Sequence, residues 1–125
     1  MPADPPLVIV DAANVVGSVP DGWWRDRHAA TERLRDTLAP LAESGVAGHP
    51  GPVELVLVVE GAASGVASVP GVPVVAAPGS GDDLIVDLVR EASRACLVVT
   101  ADRALRERVT GLGAEVVGPR AVRPR

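Results

Sequence analysis

Five short runs of apolar residues, most of them rich in valine, recur along the chain. The second run is interrupted at Glu54, and the five runs cover residues 7–10, 53–59, 72–77, 96–99 and 114–117. Strands that are covered on both faces have nearly continuous apolar sequences, whereas strands with one wet face alternate between apolar and polar residues. The chain is therefore predicted to build a parallel sheet that is buried on both sides.

Amphipathic helical patterns lie between these runs. Apolar residues recur every three or four positions in residues 30–41, 84–92 and 105–112, which is the spacing of one helix face. The first pattern predicts a helix over about 23–43, and Pro40 should end or bend its last turn. The alternation of strands and helices predicts an open α/β sheet with right-handed crossovers.

The length of 125 residues suits one compact domain. We expect a core at about residues 7–118 and a frayed tail at 119–125. Residues 1–6 lack a signal-peptide pattern, and no segment reaches the roughly 20 apolar residues of a membrane span, so a soluble cytoplasmic protein without membrane contact is expected. Cys96 is the single cysteine, which excludes a disulfide framework.

All twelve cationic side chains are arginine, and the formal net charge is −4. Domains that hold nucleic acid through a broad positive field usually carry a net basic excess. Any contact with RNA must therefore be local.

Acidic residues gather around one end of the predicted strands. Asp11 closes the first run, Glu60 the second, Asp82 and Asp83 begin the second helical pattern, and Asp102 follows the fourth run. The crevice of an open α/β sheet lies beyond the carboxyl ends of its strands, so these carboxylates should meet at one edge. Clustered carboxylates repel one another unless a cation neutralises them. Oxygen-rich sites suit Mg²⁺ or Mn²⁺, which promote attack of water at phosphorus, so the pattern predicts phosphodiester hydrolysis.

Structural roles compete with this interpretation for several of the acids. Ser80 and Asp83 have the spacing of a capping box at a helix start. Asp102 has the position of an N-cap for the last helix, and Glu60 has that of a solvated loop residue. Capping does not readily explain Asp11, which ends a Val/Ile strand and precedes two alanines.

Polar, basic and aromatic residues flank the acids. Asn14 either orients a neighbouring carboxylate or a metal-bound water, or forms a turn, and Thr100 has a hydroxyl suited to a metal-bound water or a phosphate. Arg25 and Arg27 would grip phosphates, or else form a salt-bridged surface with the acids between them. Trp24 and the tryptophan before it would stack on a base, with packing against the sheet edge expected for at least one of them.

Four segments together resemble a known family. Residues 8–17 (VIVDAANVVG), 21–27 (DGWWRDR), 81–86 (GDDLIV) and 98–103 (VVTADR) are similar to motifs of the NYN domain group, including its YacP-like members, within the PIN-like nuclease superfamily. The match covers roughly residues 7–118. Its three acidic motifs occur in the order and spacing of the family.

This resemblance implies a three-layer α/β/α sandwich with a mainly parallel sheet in the strand order 3-2-1-4-5. It also implies divalent-metal-dependent endoribonuclease activity. The catalytic acids would be Asp11, Asp82, Asp83 and Asp102. The ligands of Mg²⁺ or Mn²⁺ would be Asp11, Glu60, Asp83 and Asp102. The residues in contact with substrate would be Asn14, Thr100, Arg25, Arg27, Arg103 and Trp24.

Two positions of this ligand set remain open. Asp82 and Asp83 are alternatives for the same ligand, and family members often have aspartate where this chain has Glu60. RNA is the expected partner. A homodimer and a ribosomal or RNA-processing partner are further expectations that the sequence leaves open.

Other classes of α/β protein fit less well. Receiver domains and haloacid-dehalogenase-like phosphatases also resemble this arrangement of strand-end acids, but both normally require a lysine, which this chain lacks. A dinucleotide-binding Rossmann domain needs its glycine-rich turn directly after the first strand, where this chain has an acidic turn at residues 11–14.

The serious alternative is a non-catalytic RNA-binding or protein-interaction module on the same fold, which would bind metal poorly.

Overall fold

The structure, a computed structural model, describes residues 4–123 of the chain. At its centre is a sheet of five strands, which we number β1 Leu7–Asp11, β2 Glu54–Val59, β3 Val74–Ala76, β4 Cys96–Val99 and β5 Glu115–Val117. Their order across the sheet is β3-β2-β1-β4-β5, and every neighbouring pair is parallel. The predicted α/β fold with the strand order 3-2-1-4-5 is therefore confirmed.

Five α-helices and three short 3₁₀ turns connect the strands within residues 4–123. The helices are α1 Ala12–Val16, α2 Arg27–Leu38, α3 Leu41–Ser44, α4 Gly81–Glu91 and α5 Arg103–Thr110. The 3₁₀ turns are Trp23–Arg25, Gly61–Ala63 and Pro119–Ala121, and a small antiparallel hairpin pairs Gly45–Val46 with His49–Pro50. None of the helices in this described part is long and apolar enough to cross a membrane.

Helices cover both faces of the sheet and create two cores. Val8 and Val10 of β1 pack with residues of α1 and α2, whereas Ile9 packs with residues of α4 and α5. All three side chains are fully buried, because successive residues of a strand face opposite sides of the sheet. The chain is thus a three-layer α/β/α sandwich, as the resemblance implies.

The parallel register brings the carboxyl ends of the three central strands to the same edge. Asp11 at the end of β1 pairs with Val58 of β2, and Val10 pairs with Val99 at the end of β4. The segments that follow these strands therefore leave the sheet side by side. This is the edge at which the predicted acids follow the strands.

The first predicted helix begins later than expected. The sequence pattern placed its start at about Trp23, but Trp23–Arg25 form a 3₁₀ turn and α2 starts at Arg27. Asp26 is the N-cap, and its side chain accepts the Ala29 N–H at 3.0 Å, which satisfies an amide that the helix itself leaves unpaired. Pro40 lies between α2 and α3, in agreement with its predicted effect.

The expected frayed tail at 119–125 is wrong for most of its length. Val122 is fully buried. Arg123 donates to two backbone carbonyls of α1 and forms an ion pair with Asp21 at 2.8 Å. Residues 119–123 are therefore packed against the body of the domain, while residues 124 and 125 lie outside the described part of the chain.

Candidate functional site

Asp11 ends the central strand and is buried, with 4% of its surface exposed. Its Oδ2 accepts the Thr100 hydroxyl at 2.9 Å, and its Oδ1 accepts the Asn14 N–H at 3.4 Å. The second contact makes Asp11 the N-cap of α1, so capping does apply to this residue, contrary to the sequence analysis. Neither of these two donors carries a charge that would balance the carboxylate.

Burial and neighbouring charges raise the pKa of Asp11 from 3.8 to about 6. Desolvation is the largest cause, and the negative charges of Asp82 and Glu60 raise the pKa further. The hydrogen bonds from Thr100 and Asn14 lower it, but they do not offset the burial. Perturbed carboxyls of this kind are typical of functional sites. None of the groups that shift the pKa of Asp11 carries a positive charge.

Glu60 directly follows β2 and is half-buried. Its Oε1 accepts the backbone N–H of Gly81 at 3.0 Å, which joins the end of β2 to the first residue of α4. A Cβ atom at position 81 would lie 2.5 Å from this oxygen, so the close approach depends on glycine. Glu60 therefore accepts a hydrogen bond at the sheet edge. It is not the solvated loop residue that the sequence left as an alternative.

Asp82 lies in the first turn of α4, and its backbone N–H is capped by the Ser80 hydroxyl at 3.1 Å. Partial burial raises the pKa of its carboxyl, and the negative charges of Asp102 and Glu60 raise it further. Asp82 is also one of the charges that raise the pKa of Asp11. Its carboxylate thus interacts with acids from three other segments of the chain.

Asp83 lies elsewhere, although it is adjacent to Asp82 in sequence. Its carboxylate pairs with Arg108 of α5 at 3.1 Å, and 72% of its side chain is exposed. Successive residues of a helix point about 100° apart, so only one of the two neighbours can face the edge. The structure brings Asp82, and not Asp83, close to Asp11 and Glu60, while the role of Asp83 as a metal ligand stays a prediction.

Asp102 is the N-cap of α5, where its Oδ1 accepts the Leu105 N–H at 2.9 Å. Its own N–H donates to the Thr100 hydroxyl oxygen at 3.1 Å. Because the same hydroxyl donates to Asp11, Thr100 connects the two aspartates and is itself fully buried. Asp102 therefore caps α5 and also lies near Asp82. Its structural role does not exclude a role in the site.

Asn14 completes this network from α1. Its side-chain oxygen accepts the Ala101 N–H at 2.7 Å, and its backbone N–H donates to Asp11. The side chain thus fastens α1 to the loop that follows β4. Asn14 therefore links two segments at the sheet edge, and its role goes beyond the local turn that the sequence left as an alternative.

The oxygen atoms at this edge that are suited to bind a metal ion belong to four carboxylates and to the hydroxyl of Thr100. The carboxylates are those of Asp11, Glu60, Asp82 and Asp102, which we call the carboxylate cluster. Carboxylate and hydroxyl oxygens fit a hard divalent cation such as Mg²⁺ or Mn²⁺. Between residues 4 and 123, however, no group of three or more His, Cys, Asp or Glu side chains is arranged to hold a metal ion. The four carboxylates therefore form an electrostatic cluster whose chemistry suits a cation, without a ready-made ligand cage.

The two tryptophans lie in different environments, and Trp23 lines a cavity together with Glu60. Trp23 packs against the core, whereas Trp24 is 54% exposed. The rings meet edge to face at 5.8 Å, and the Arg27 guanidinium lies 5.0 Å from the centre of the Trp23 ring. Trp24 is thus free to contact a ligand, and the expected packing role falls to Trp23. Arg25 is exposed on the turn between them and α2.

Two surface depressions lined by arginines, together called the arginine groove, meet at Ala101, the residue between Thr100 and Asp102. Arg103 and Arg106 of α5 line one surface depression and Arg120 lines another, and the two depressions share Ala101. Within residues 4–123, none of the three arginines forms an ion pair. Of these three arginines, only Arg103 was predicted from the sequence. The three-residue spacing of Arg103 and Arg106 on one helix could have indicated Arg106.

Replacing Thr100 with valine tests whether the network tunes Asp11. The variant loses the hydrogen bond that lowers the pKa of Asp11, so we expect this pKa to move above about 6. On the expectation of a metal site at this edge, a proton then competes with Mn²⁺ at higher pH, so any rise in melting temperature caused by Mn²⁺ should be lost at a higher pH than in the wild type. Losing both bonds of a buried hydroxyl should also cost about 1–3 kcal/mol of stability.

The measurement is the melting temperature with and without Mn²⁺ across a pH series. Thr37→Val is the matched control, because Thr37 is exposed on α2 and donates only to the Arg33 carbonyl. An identical pH midpoint in the wild type and in Thr100→Val would contradict the proposed coupling of this hydroxyl to Asp11.

The architecture and the strand order are consistent with a PIN-like α/β fold. Two crystal structures of Rae1 (YacP) from Bacillus subtilis have the same architecture. The first, of a single-substitution mutant, gives a TM-score of 0.74 at 18% identity and covers 94% of this chain and 72% of that chain. The second gives a TM-score of 0.74 at 17% identity and covers 93% and 70%.

No family model and no curated protein sequence matches the chain. At less than one-fifth identity, the similarity to Rae1 establishes the fold. The YacP-like resemblance predicted from the sequence motifs is thus confirmed for the fold.

Proposed function

We propose that the chain is a divalent-metal-dependent endoribonuclease that hydrolyses RNA phosphodiester bonds at the carboxylate cluster. The observation that carries the proposal is Asp11, a buried carboxyl with a pKa raised to about 6. Acids from two further segments, Glu60 and Asp82, contribute to the shift. The negative charge of Asp11, which no neighbouring cationic side chain balances, favours the binding of a metal ion.

Each residue of the cluster has a distinct part in this proposal. Asp11 would be the central ligand, held in one orientation by Thr100 and Asn14. Asp82 and Asp102 would complete the ligand set, with Glu60 at its margin. A bound Mg²⁺ or Mn²⁺ would supply charge neutralisation and activation of water for in-line attack at phosphorus. The backbone contacts of Glu60 and Asp102 would limit how far these two carboxylates move when the site is loaded.

RNA is the substrate that the surroundings of the cluster favour. The exposed ring of Trp24 offers a stacking surface, and stacking on aromatic rings is typical of single-stranded nucleic acid binding. The arginine groove with Arg103, Arg106 and Arg120 offers cationic groups for the phosphates. With a net charge of −4, these local groups would have to provide the phosphate contacts.

The direct test is cleavage-site mapping of total RNA incubated with the protein and Mn²⁺. Asp11→Asn is the control for contaminating nucleases. We expect discrete new RNA ends with the wild type that are absent in the variant and absent without metal. The same ends with both proteins would contradict the proposed activity.

A non-catalytic RNA-binding or protein-interaction module is the second candidate. The observation in its favour is that the described residues contain no three-residue group arranged to hold a metal. The melting temperature in millimolar Mn²⁺ separates the two candidates. The nuclease predicts a rise that is lost in Asp11→Asn, whereas the binding module predicts no rise in either protein.

Removing the arginines of α5 tests the proposed path of the RNA backbone. In an Arg103→Ala, Arg106→Ala double variant, each lost phosphate contact should lower the slope of log affinity against log salt by about 0.7 for a single strand. Fluorescence anisotropy with a labelled single-stranded RNA gives this slope. The titration is performed in the Asp11→Asn background, in which the RNA stays intact.

Arg90→Ala is the matched control for this experiment. Arg90 is also an exposed helical arginine, but it pairs with Asp87 at 3.1 Å on α4. Its loss should leave the salt slope unchanged. Equal slopes for the double variant and the control would remove the α5 groove from the RNA path.

A further inference from the structure

A small cavity opens beside the carboxylate cluster, on the face of the sheet covered by α1 and α2. Its volume is about 80 Å³, which is several times the roughly 10–15 Å³ that one water molecule needs on this measure. Its apolar lining comes from small or branched side chains: Ala12, Val16 and Ala63, all buried. The cavity exists because alanines stand where larger residues would fill the space.

The polar lining of this cavity consists of Trp23, Arg27, Glu60 and the buried Thr31, whose hydroxyl donates to the Arg27 carbonyl at 2.8 Å. Arg27 and Trp23 form one wall, with the guanidinium over the indole ring at 5.0 Å. Glu60 forms another wall, which the cavity shares with the carboxylate cluster. One oxygen of Glu60 is occupied by the Gly81 N–H, which leaves the other oxygen to accept a hydrogen bond from a ligand.

These lining groups determine which class of ligand the cavity can bind. A phosphate is disfavoured because Glu60 and the neighbouring aspartates are negative. A flat heterocycle fits, because its faces can lie against apolar side chains and an arginine plane, while its edge meets a hydrogen-bond acceptor. An ionised carboxylate only accepts hydrogen bonds, so the matching edge must carry a donor such as an amino group.

We propose that the cavity is a base-binding pocket that takes one unpaired nucleobase of the RNA, with the amino group of the base donating to Glu60. The pocket rests on the proposed function, because it places a base next to the carboxylates that would cleave the strand. It favours cytosine over uracil, which has a carbonyl oxygen in place of the amino group. It therefore makes Glu60 a specificity-determining residue of the site.

Cytidine and uridine form a matched pair of probes. Both are uncharged, so the carboxylate cluster does not repel them, and they differ at the group that faces Glu60. The chain has two tryptophans, so its two indole N–H signals in a nitrogen–proton NMR spectrum are readily assigned with a Trp24→Phe variant. We expect cytidine to shift the Trp23 signal saturably and to bind about 10-fold tighter than uridine, since a buried polar group left unpaired is costly.

Two variants test the pocket itself. Ala13 lines the cavity and is exposed on α1, so Ala13→Leu should fill the space and abolish the shift without unfolding the protein. Ala104→Leu, an exposed alanine on α5 away from the cavity, should bind cytidine as the wild type does. Glu60→Gln retains an acceptor for Gly81 and turns an amide donor toward the ligand, so the preference should reverse in favour of uridine.

The possible results separate this pocket from the nuclease activity. No saturable shift with cytidine, or the same shift in Ala13→Leu as in Ala104→Leu, overturns the pocket even if Mn²⁺-dependent cleavage is observed. An unchanged preference in Glu60→Gln overturns the role of Glu60. Cytidine binding with the expected variant pattern, but without RNA cleavage, supports the pocket and rejects the nuclease.

Discussion

Replacing Asp11 with asparagine will lower RNA cleavage by roughly 10³-fold or more and, in the same protein, will raise the melting temperature of the metal-free form at pH 8. The first effect follows because the central carboxylate of the proposed metal site is lost. The second follows because the wild-type carboxylate is buried, with 4% of its surface exposed, and has a pKa raised to about 6. Activity and stability should therefore move in opposite directions.

The pH dependence gives the sign of the stability effect. Between pH 3.8 and about 6, the folded protein holds a proton on Asp11 that the unfolded chain has released. Stability therefore falls as the pH rises through this window, and above it the ionised Asp11 costs roughly 2–3 kcal/mol. Asparagine carries no charge, but its single oxygen can accept only one of the two hydrogen bonds that Asp11 accepts from Thr100 and Asn14. The lost bond offsets about 1 kcal/mol of the gain, so the expected net rise in melting temperature is about 3–8 °C.

Thermal unfolding from pH 4 to pH 8, with and without Mn²⁺, measures both parts. Asp87→Asn is the matched control, because Asp87 is exposed on α4 and pairs with Arg90. The control should keep the stabilisation by Mn²⁺ and gain no stability without metal. A lower melting temperature for metal-free Asp11→Asn at pH 8, or a retained response to Mn²⁺, would show that Asp11 is not the uncompensated charge of a metal site.

The parallel sheet and its edge of acids were predictable because both follow from local patterns. Continuous valine-rich runs indicate strands covered on both faces, and parallel strands end at the same edge. The positions of Asp11 and Glu60 at strand ends could thus be read directly from the sequence. The strand order was implied by the resemblance, since hydrophobic patterns do not specify which strands are neighbours.

The direction in which a side chain points and the contacts between residues far apart in sequence are not specified by local residue patterns. Three features of this structure depend on them. α1 has five residues, which is too short for a clear helical period. The contact of Arg123 with Asp21 joins residues 102 positions apart, so no local signal announces it. The cavity beside Glu60 arises from three separate segments, and no pattern in the sequence shows that Ala13 of one segment and Ala63 of another line the same space.

The identity of the acidic residue at the start of α4 is the clearest case of such a limit, and it leads to a direct prediction. Sequence motifs contain both Asp82 and Asp83, but a helix can direct only one of two consecutive residues toward the sheet edge. Asp82 interacts with Asp11, Glu60 and Asp102. We therefore expect Asp82→Asn to lower cleavage by about 10²- to 10³-fold, and Asp83→Asn to cleave within about threefold of the wild type.

The two variants are closely matched controls for each other. Both lose one negative charge in the first turn of the same helix, so both weaken the favourable interaction with the helix dipole to a similar extent. Asp83→Asn also gives up its pair with Arg108, but the aspartate side chain is 72% exposed, and such surface pairs contribute little. Differences in stability therefore cannot account for a large difference in cleavage.

Cleavage of one RNA under kcat/KM conditions and the melting temperature in Mn²⁺ provide the comparison. Asp82→Asn should lose both the activity and most of the stabilisation by Mn²⁺, whereas Asp83→Asn should keep both. Equal losses in the two variants would mean that the start of α4 rearranges when the cation binds. Loss in Asp83→Asn alone would mean that the ion pair with Arg108 breaks on metal binding, and that α4 turns its other acidic side chain to the cluster.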